Sequence, residues 1–251
     1  MSVAYLFVRE DREYLLSPGE RLESDLGILE VPEDVSPGDT VETHLGTAFR
    51  VRKLRGPDLF NHFERTGAPM MPRDLGLIIG HTGIAGGDHV LDAGTGTGVL
   101  SASMARAGAT VTTYEVNSEF ADVARENMEL AGVRDSVDVR TGDVTEELTE
   151  LRASESTDDT GKFDVVTLDT ADAPTVVANA SGLLVDGGFI AVYSPFIEDT
   201  RETVEAAREE ELEDIRTFET IQRRMDFDDR GSRPSTAGVG HTGYLTFARK
   251  Q

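Results

Sequence analysis

The chain changes its hydrophobic rhythm once. Up to about residue 55, short apolar runs alternate with turn signals: Tyr5-Leu-Phe-Val8, Tyr14-Leu-Leu16, Leu26-Gly-Ile-Leu-Glu-Val31 and Phe49-Arg-Val-Arg52, punctuated by Pro18-Gly19 and Pro37-Gly38. That spacing predicts a small β-rich domain over residues 1–57. Residues 58–65 read as a helix, and Thr66-Gly67-Ala68-Pro69 as a joint. From there helix and strand alternate, which assigns 58–251 to a second domain. Helix 74–81 precedes strand 89–92; helix 100–107, strand 110–115, helix 118–131 and strand 137–140 follow. Residues 145–161 read as a helix end and an exposed acidic loop. Strand 163–168, helix 175–184, strand 188–193 and helix 200–210 continue the alternation, and two extended runs, 215–223 and 242–248, flank an Arg/Gly/Pro loop. Alternation of this kind predicts an α/β fold with a mostly parallel, doubly wound sheet of seven strands.

The strongest local signal is His89-Val-Leu-Asp-Ala-Gly-Thr-Gly-Thr-Gly-Val-Leu100, an apolar strand that ends at Asp92 and runs through Gly94, Gly96 and Gly98 into a helix. Glycines there let the backbone turn sharply and let a ligand approach the main chain. The dinucleotide fingerprint needs its third glycine three residues after the second, and position 99 is Val. A D-x-G-x-G-x-G turn suits a cofactor without a pyrophosphate, with Asp92 meeting an amino acid's ammonium directly or through water; a purely structural turn is the alternative. The next strand ends at Glu115, where a doubly wound fold presents a carboxylate to the ribose hydroxyls of an adenosyl group. Its alternative is a solvated strand-end acid. The following strand closes on Gly142-Asp143-Val144, where a carboxylate can accept from an adenine amino group. Together these three strand ends point to S-adenosylmethionine.

Composition narrows the setting. No apolar run approaches the roughly 20 residues of a membrane span, and charges within the first ten residues argue against a secretory leader. Cysteine is absent, which removes thiolate nucleophiles and Cys-based metal sites. A cytoplasmic protein is expected. The 47 acidic against 24 basic residues give a net charge of −23, and only Lys53, Lys162 and Lys250 are lysines. So acidic a protein repels polyanions at low salt. The lysine scarcity favours adaptation to molar salt, where the screening length falls to about 3 Å; local arginine clusters then matter more than net charge.

The whole chain resembles the tRNA (adenine-N1)-methyltransferases that modify T-loop adenine 58, within the class I, Rossmann-like S-adenosylmethionine-dependent enzymes. The likeness rests on Thr43-His44-Leu45-Gly46, Phe49-Arg-Val-Arg52, Pro72-Arg73-Asp74, Ala93-Gly-Thr-Gly-Thr-Gly98, Leu168-Asp169, Tyr193-Ser-Pro195 and Gly240-His-Thr-Gly-Tyr-Leu245. It implies a small N-terminal β domain, a homotetrameric assembly and tRNA as partner; archaeal relatives can also modify adenine 57, so 57, 58 or both stay open as the target. It also implies that Thr97, Gly98, Val99, Leu100, Glu115, Asp143 and Asp169 line the cofactor site. Two departures stand out: Met71 replaces a Tyr before the Pro-Arg-Asp segment, and the run after Asp169 lacks the family's Trp, so stacking on the base falls to Tyr193 or Phe196.

Asp169 is the expected catalytic residue. A carboxylate accepting from adenine N6–H would orient the base, attract the charge that methylation of N1 creates, and take the proton later; the alternative is a helix-capping or turn Asp. His241 contacts substrate or satisfies loop carbonyls. Arg50, Arg52, Lys53 and Arg55, with Arg223, Arg224, Arg230 and Arg233, are the candidate phosphate contacts, or else pair with the abundant carboxylates. The five histidines show no metal spacing with carboxylates, so no metal is expected. Two rival functions share parts of this pattern: a protein isoaspartyl O-methyltransferase, and a non-catalytic tRNA-binding subunit.

Overall fold

The computed structural model of the chain describes residues 4–153, 163–238 and 240–251; of the segment 145–161 expected to be a helix end and exposed loop, residues 154–161 lie outside them. The chain divides into two compact units, Met1–Phe63 and Glu64–Gln251.

The smaller unit contains β1 (Tyr5–Arg9), β2 (Arg12–Leu16), β3 (Arg21–Ser24), β4 (Gly27–Glu30), β5 (Thr40–Glu42), β6 (Ala48–Arg52) and helix α1 (Gly56–His62). Four strands form an antiparallel sheet in the order β2-β1-β6-β5, and β3 pairs with β4 as a separate hairpin. Phe7, Leu29, Phe49 and Val51 are each no more than 1% exposed and form its core. Period-2 alternation puts Phe49 and Val51 inside and leaves Arg50 and Arg52 on the solvent face. The Thr43-His44-Leu45-Gly46 segment ties the β3–β4 hairpin to the turn before β6. His44 Nδ1 accepts from the Ile28 amide at 2.8 Å, and the Thr43 hydroxyl donates to the Leu26 carbonyl at 2.9 Å.

The larger unit runs α2 (Pro72–Thr82), β7 (His89–Ala93), α3 (Val99–Ala107), β8 (Thr110–Glu115), α4 (Ser118–Ala131), β9 (Val137–Thr141), α5 (Val144–Ala153), β10 (Phe163–Leu168), α6 (Ala173–Val177), β11 (Leu184–Ser194), α7 (Ile197–Glu209), β12 (Glu213–Glu219), β13 (Met225–Asp228), β14 (Gly231–Pro234) and β15 (Tyr244–Arg249). Seven strands make one sheet in the order β12-β15-β11-β10-β7-β8-β9, and only β15 runs against the rest. The helix ends obey local chemistry. Asn117 caps α4 by accepting from the Glu119 and Phe120 amides, Pro72 opens α2, and Gly83, Gly108 and Gly132 close α2, α3 and α4 in the left-handed region.

Two sequence expectations need correction. The helix expected over 175–184 stops at Val177; a 3-10 turn follows at Ala180–Gly182 and β11 already begins at Leu184. Leu183 and Leu184 are both fully buried: Leu183 closes the 3-10 turn in the right-handed region, its carbonyl accepting from the Phe163 amide, and the chain becomes extended at Leu184, which pairs with Phe163 across the sheet. The Arg/Gly/Pro loop is also not irregular: β13 and β14 pair within it as a hairpin, Asp226 opposite Arg233.

The chain winds outward from β7 through β8 to β9, then returns to lay β10 on the other side of β7. The carboxyl ends of β7 and β10 therefore flank the point where strand order reverses, which is where open α/β sheets bind ligands.

Candidate active site

At that switch point the two strand ends are bolted together. The Asp169 amide donates to the Ala93 carbonyl at 2.9 Å. Gly94 has φ +87°, and a Cβ built on it would lie 2.0 Å from the Asp169 carbonyl oxygen, so only glycine fits. Asp92, one turn below, is 2% exposed and anchors the same junction: Oδ2 accepts from the Ser101 and Thr113 hydroxyls, each at 2.7 Å, and Oδ1 from Thr167 at 2.6 Å. It joins β7 to α3, β8 and β10 and is not among the residues that line the cleft.

Above the junction lies a cleft of about 300 Å³ bordered by Gly94, Gly96, Thr97, Glu115, Gly142, Asp143, Val144 and Asp169. Eight of the twelve residues expected to hold the cofactor thus meet at one opening. Gly98, Val99 and Leu100 do not: they are buried behind it, where Gly98 (φ +80°) turns the chain into α3. Glu115 is 7% exposed and bridges loops, its Oε2 accepting from the Gly96 amide at 2.8 Å and its Oε1 from the Asn117 amide at 3.0 Å. Asp143 caps α5 through Oδ1, which accepts from the Thr145 amide and hydroxyl at 2.8 and 2.7 Å.

Among the described residues, four carboxylates border this space, those of Glu115, Asp143, Asp169 and Asp172, and no Lys or Arg does. Such a lining suits a ligand that brings positive charge and hydroxyls, and it repels phosphates. Nothing lies nearer than 3.9 Å to a Cβ built on Gly96, and nothing within 4 Å of one on Gly142. The bare backbone there leaves room for a flat, closely applied adenosyl group. S-adenosylmethionine fits these residues.

Asp169 is the most perturbed acid of the site. Burial, then the neighbouring Asp92 charge, pushes its carboxyl up to about 7. Its oxygens make no hydrogen bond or ion pair among the described residues, so the carboxylate remains available to a ligand.

Beside it stands Tyr193. Leu168 pairs with Val192 across β10 and β11, so Asp169 and Tyr193 are the next neighbours in register. The phenol donates to the Thr242 carbonyl at 2.5 Å and is shifted up by burial, then by the Asp169 and Asp74 charges. His241 faces two acceptors, Glu219 Oε1 at 2.8 Å from Nδ1 and the Pro195 carbonyl at 3.2 Å from Nε2. The Glu219 contact raises its proton affinity. Both ring nitrogens are occupied, which makes it a staple between loops.

The candidate phosphate contacts fall in separate places. Arg50, Arg52, Lys53 and Arg55 are exposed on the smaller unit. Arg223, Arg224 and Arg233 are exposed around the β13–β14 hairpin, while Arg230 pairs with Asp228 at 3.2 Å. Apart from Arg230, none of these cations has a carboxylate within 4 Å among the described residues. Among those residues, too, no cluster of three or more His, Asp or Glu is arranged to hold a metal ion.

Sequence reasoning missed part of the lining: Thr66, Gly67 and Ala68, and also Val116 and Phe120. The first three follow Glu64, which is anchored by Asn127, 3% exposed, whose side chain bonds both the amide and carbonyl of Glu64 and donates to the Thr97 carbonyl at 2.9 Å. The signal was a lone Asn on the apolar stripe Ala121, Ala124, Met128, Ala131. Val116, 71% exposed directly after Glu115, is an apolar side chain displayed where a strand-end acid meets the cleft.

Comparison with known proteins finds relatives over nearly the whole chain. The family model described as tRNA methyltransferase complex GCD14 subunit matches residues 63–231. The tRNA (adenine(57)-N(1)/adenine(58)-N(1))-methyltransferase TrmI of Methanocaldococcus jannaschii is 34% identical, over 98% of this chain and 95% of its own. The tRNA (adenine(58)-N(1))-methyltransferase TrmI of Thermus thermophilus is 28% identical, over 96% and 94%. Among solved structures, an S-adenosylmethionine-dependent O-methyltransferase of Thermotoga maritima superposes with a TM-score of 0.82 at 26% identity, covering 99% of this chain and 93% of its own. The tRNA (m1A58) methyltransferase TrmI of Aquifex aeolicus does so at 0.75 and 21%, covering 99% and 96%.

Proposed function

This chain belongs to the family described as the GCD14 subunit of the tRNA methyltransferase complex, and from that premise we propose that it transfers a methyl group from S-adenosylmethionine to N1 of T-loop adenine 58 of tRNA, and of adenine 57 as well. The observation that carries the reading is the joining of Glu115, Asp143 and a free Asp169 around one glycine-lined, cation-free cleft. A family member that had lost its chemistry would have no need of that set, which argues against a non-catalytic subunit.

When bound, S-adenosylmethionine supplies an electrophilic methyl carbon on a sulfonium. Glu115 would accept from the ribose hydroxyls while keeping the Gly96 amide, and Asp143 would accept from the cofactor's adenine amine. Gly94, Gly96 and Gly142 let the main chain approach. Asp169 accepts from N6–H of the target adenine, which aligns N1 and leaves a negative charge facing the ring as it turns cationic. The Asp169 carboxylate then takes the N6 proton, a transfer its raised proton affinity favours. The Tyr193 ring walls the acceptor side, with His241 stapling the loop beside it. Arg50, Arg52 and Arg233 hold tRNA phosphates, which helps meet the few kcal/mol needed to extrude a stacked base. The chain acts in the cytoplasm, as a homotetramer, at high salt.

The test is mass-spectrometric mapping of adenosines in unmodified tRNA incubated with the protein and S-adenosylmethionine in molar KCl, beside an isoaspartyl peptide. Methyl on N1 of adenine 58 and of adenine 57 is expected; label on adenine 58 alone would limit the reading to that one base. Methylation of the peptide alone would support the carboxyl O-methyltransferase instead.

A further inference from the structure

The Gly240-His-Thr-Gly-Tyr-Leu245 segment and the Arg73-Asp74 pair meet, and neither belongs to the cleft lining. Tyr193 leans on this loop in two ways. Its phenol is spent on the Thr242 carbonyl, and a Cβ built on Gly243 would lie 2.6–2.7 Å from its Cζ, Cε2 and Oη atoms. The ring therefore lies against bare backbone, and its position is that of the loop.

The loop is in turn set by α2. The Thr242 hydroxyl receives a hydrogen bond from Arg73 Nη2 and donates to Asp74 Oδ2 at 3.3 Å. Arg73 Nε and Asp74 Oδ2 lie 3.7 Å apart, with side chains only 8% and 5% exposed. Arg73 Nε is buried and makes no hydrogen bond among the described residues, Asp74 being too far for one. A buried ion pair with an unsatisfied donor is poor stabilising material, because desolvation costs about as much as the attraction returns. Stability does not explain it, but geometry does: the pair grips one hydroxyl from both sides and fixes a loop that has no regular structure of its own.

We propose that Arg73, Asp74 and Thr242 are positioning residues for methyl transfer, holding the 240–243 loop so that the Tyr193 ring stands at a fixed place beside Asp169 as the wall against which the acceptor base lies. This deepens the proposed adenine methylation and rests on it. None of the three touches the reacting atoms, and Tyr193 contributes its ring, since its proton is committed to Thr242.

The experiment compares the full chain with Thr242→Val, Thr242→Ser and the double variant Arg73→Met/Asp74→Leu in steady-state tRNA methylation, cofactor calorimetry and thermal melting. Thr242→Val keeps the carbonyl and the volume but loses the bridge; kcat should fall by about tenfold or more, as misplacement by a fraction of an ångström to an ångström does, with cofactor affinity unchanged. Thr242→Ser should restore kcat. The double variant should melt no lower than the parent and still lose kcat. Wild-type kcat in Thr242→Val, or losses of kcat that follow melting temperature across all three, would overturn the proposal. A parent protein that methylates isoaspartyl peptide but no tRNA would overturn the underlying function, and the positioning role with it.

Discussion

The Cα of Gly94 faces the Asp169 carbonyl so closely that a single added carbon would sit 2.0 Å from the oxygen. The glycine turn and the candidate catalytic acid, 75 residues apart in sequence, are thus one object. Gly94→Ala should displace the Asp169 backbone, costing about 3 kcal/mol or more, since it adds a clash to a left-handed φ. Gly96→Ala differs: φ is +52° but nothing stands in the way of the methyl. It should fold, losing about 1 kcal/mol of stability, while its methyl intrudes on the ligand. Melting curves and cofactor calorimetry on the two variants check this; equal loss of stability in both would contradict it.

Asp92 should be structural. With three hydroxyls donating to a carboxylate that is 2% exposed, Asp92→Ala leaves those donors unpaired, at a cost of about 3 kcal/mol. The measurement is the melting temperature beside the cofactor affinity of the fraction still folded. A stable variant that had lost cofactor affinity would restore the ammonium contact expected from sequence.

The contrast between Asp92 and Glu115 marks what the chain's pattern can reveal. Strand ends and glycines at 94, 96, 115, 142 and 169 are legible because the ligand edge of a doubly wound sheet is set by where apolar runs stop. Which way an acid points is not. Asp92 ends an apolar run as Glu115 does, yet Ser101, Thr113 and Thr167 converge on it from three other elements, and no local spacing encodes that convergence. The α6 error has the same origin: Leu183 and Leu184 look helical until their long-range partner, Phe163, is known. Thr242's grip on α2 spans 168 residues and lies beyond any local reading.

Asp169→Asn should trade activity against stability. Its carboxyl titrates near 7 in the folded protein against about 4 when unfolded, so the fold loses stability as pH rises through that window. The amide lacks this penalty. Asp169→Asn should therefore melt higher than the parent at pH 8 and show little advantage at pH 4. Turnover at pH 8 should fall about 100-fold or more, and kcat/KM of the parent should rise with pH through about 7. Unchanged turnover would remove Asp169 from the reaction.

The same acid should couple cofactor binding to pH. A sulfonium in the cleft favours an ionised Asp169, so affinity for S-adenosylmethionine should strengthen as pH rises from 6 to 8. S-adenosylhomocysteine carries no sulfonium charge and should show a much flatter dependence. Calorimetry of both ligands across that range is decisive. Parallel slopes would place the sulfonium away from Asp169.

Salt supplies the last prediction. At −23 the chain repels itself over the roughly 10 Å screening length of dilute buffer, and the folded state concentrates that charge more than the unfolded one. Raising KCl toward molar concentration shrinks the length to about 3 Å, which removes most of the penalty. The tRNA interaction responds in two opposing ways. Repulsion between acidic surface and phosphate is screened, while the contacts of Arg50, Arg52 and Arg233 weaken by counterion release. With so few cations set against so many carboxylates, the first effect should dominate. Melting temperature and tRNA methylation should then rise together between 0.1 and about 2 M KCl, an expectation set by that screening change. Full activity in dilute buffer, with melting independent of salt, would leave the scarcity of lysine without this explanation.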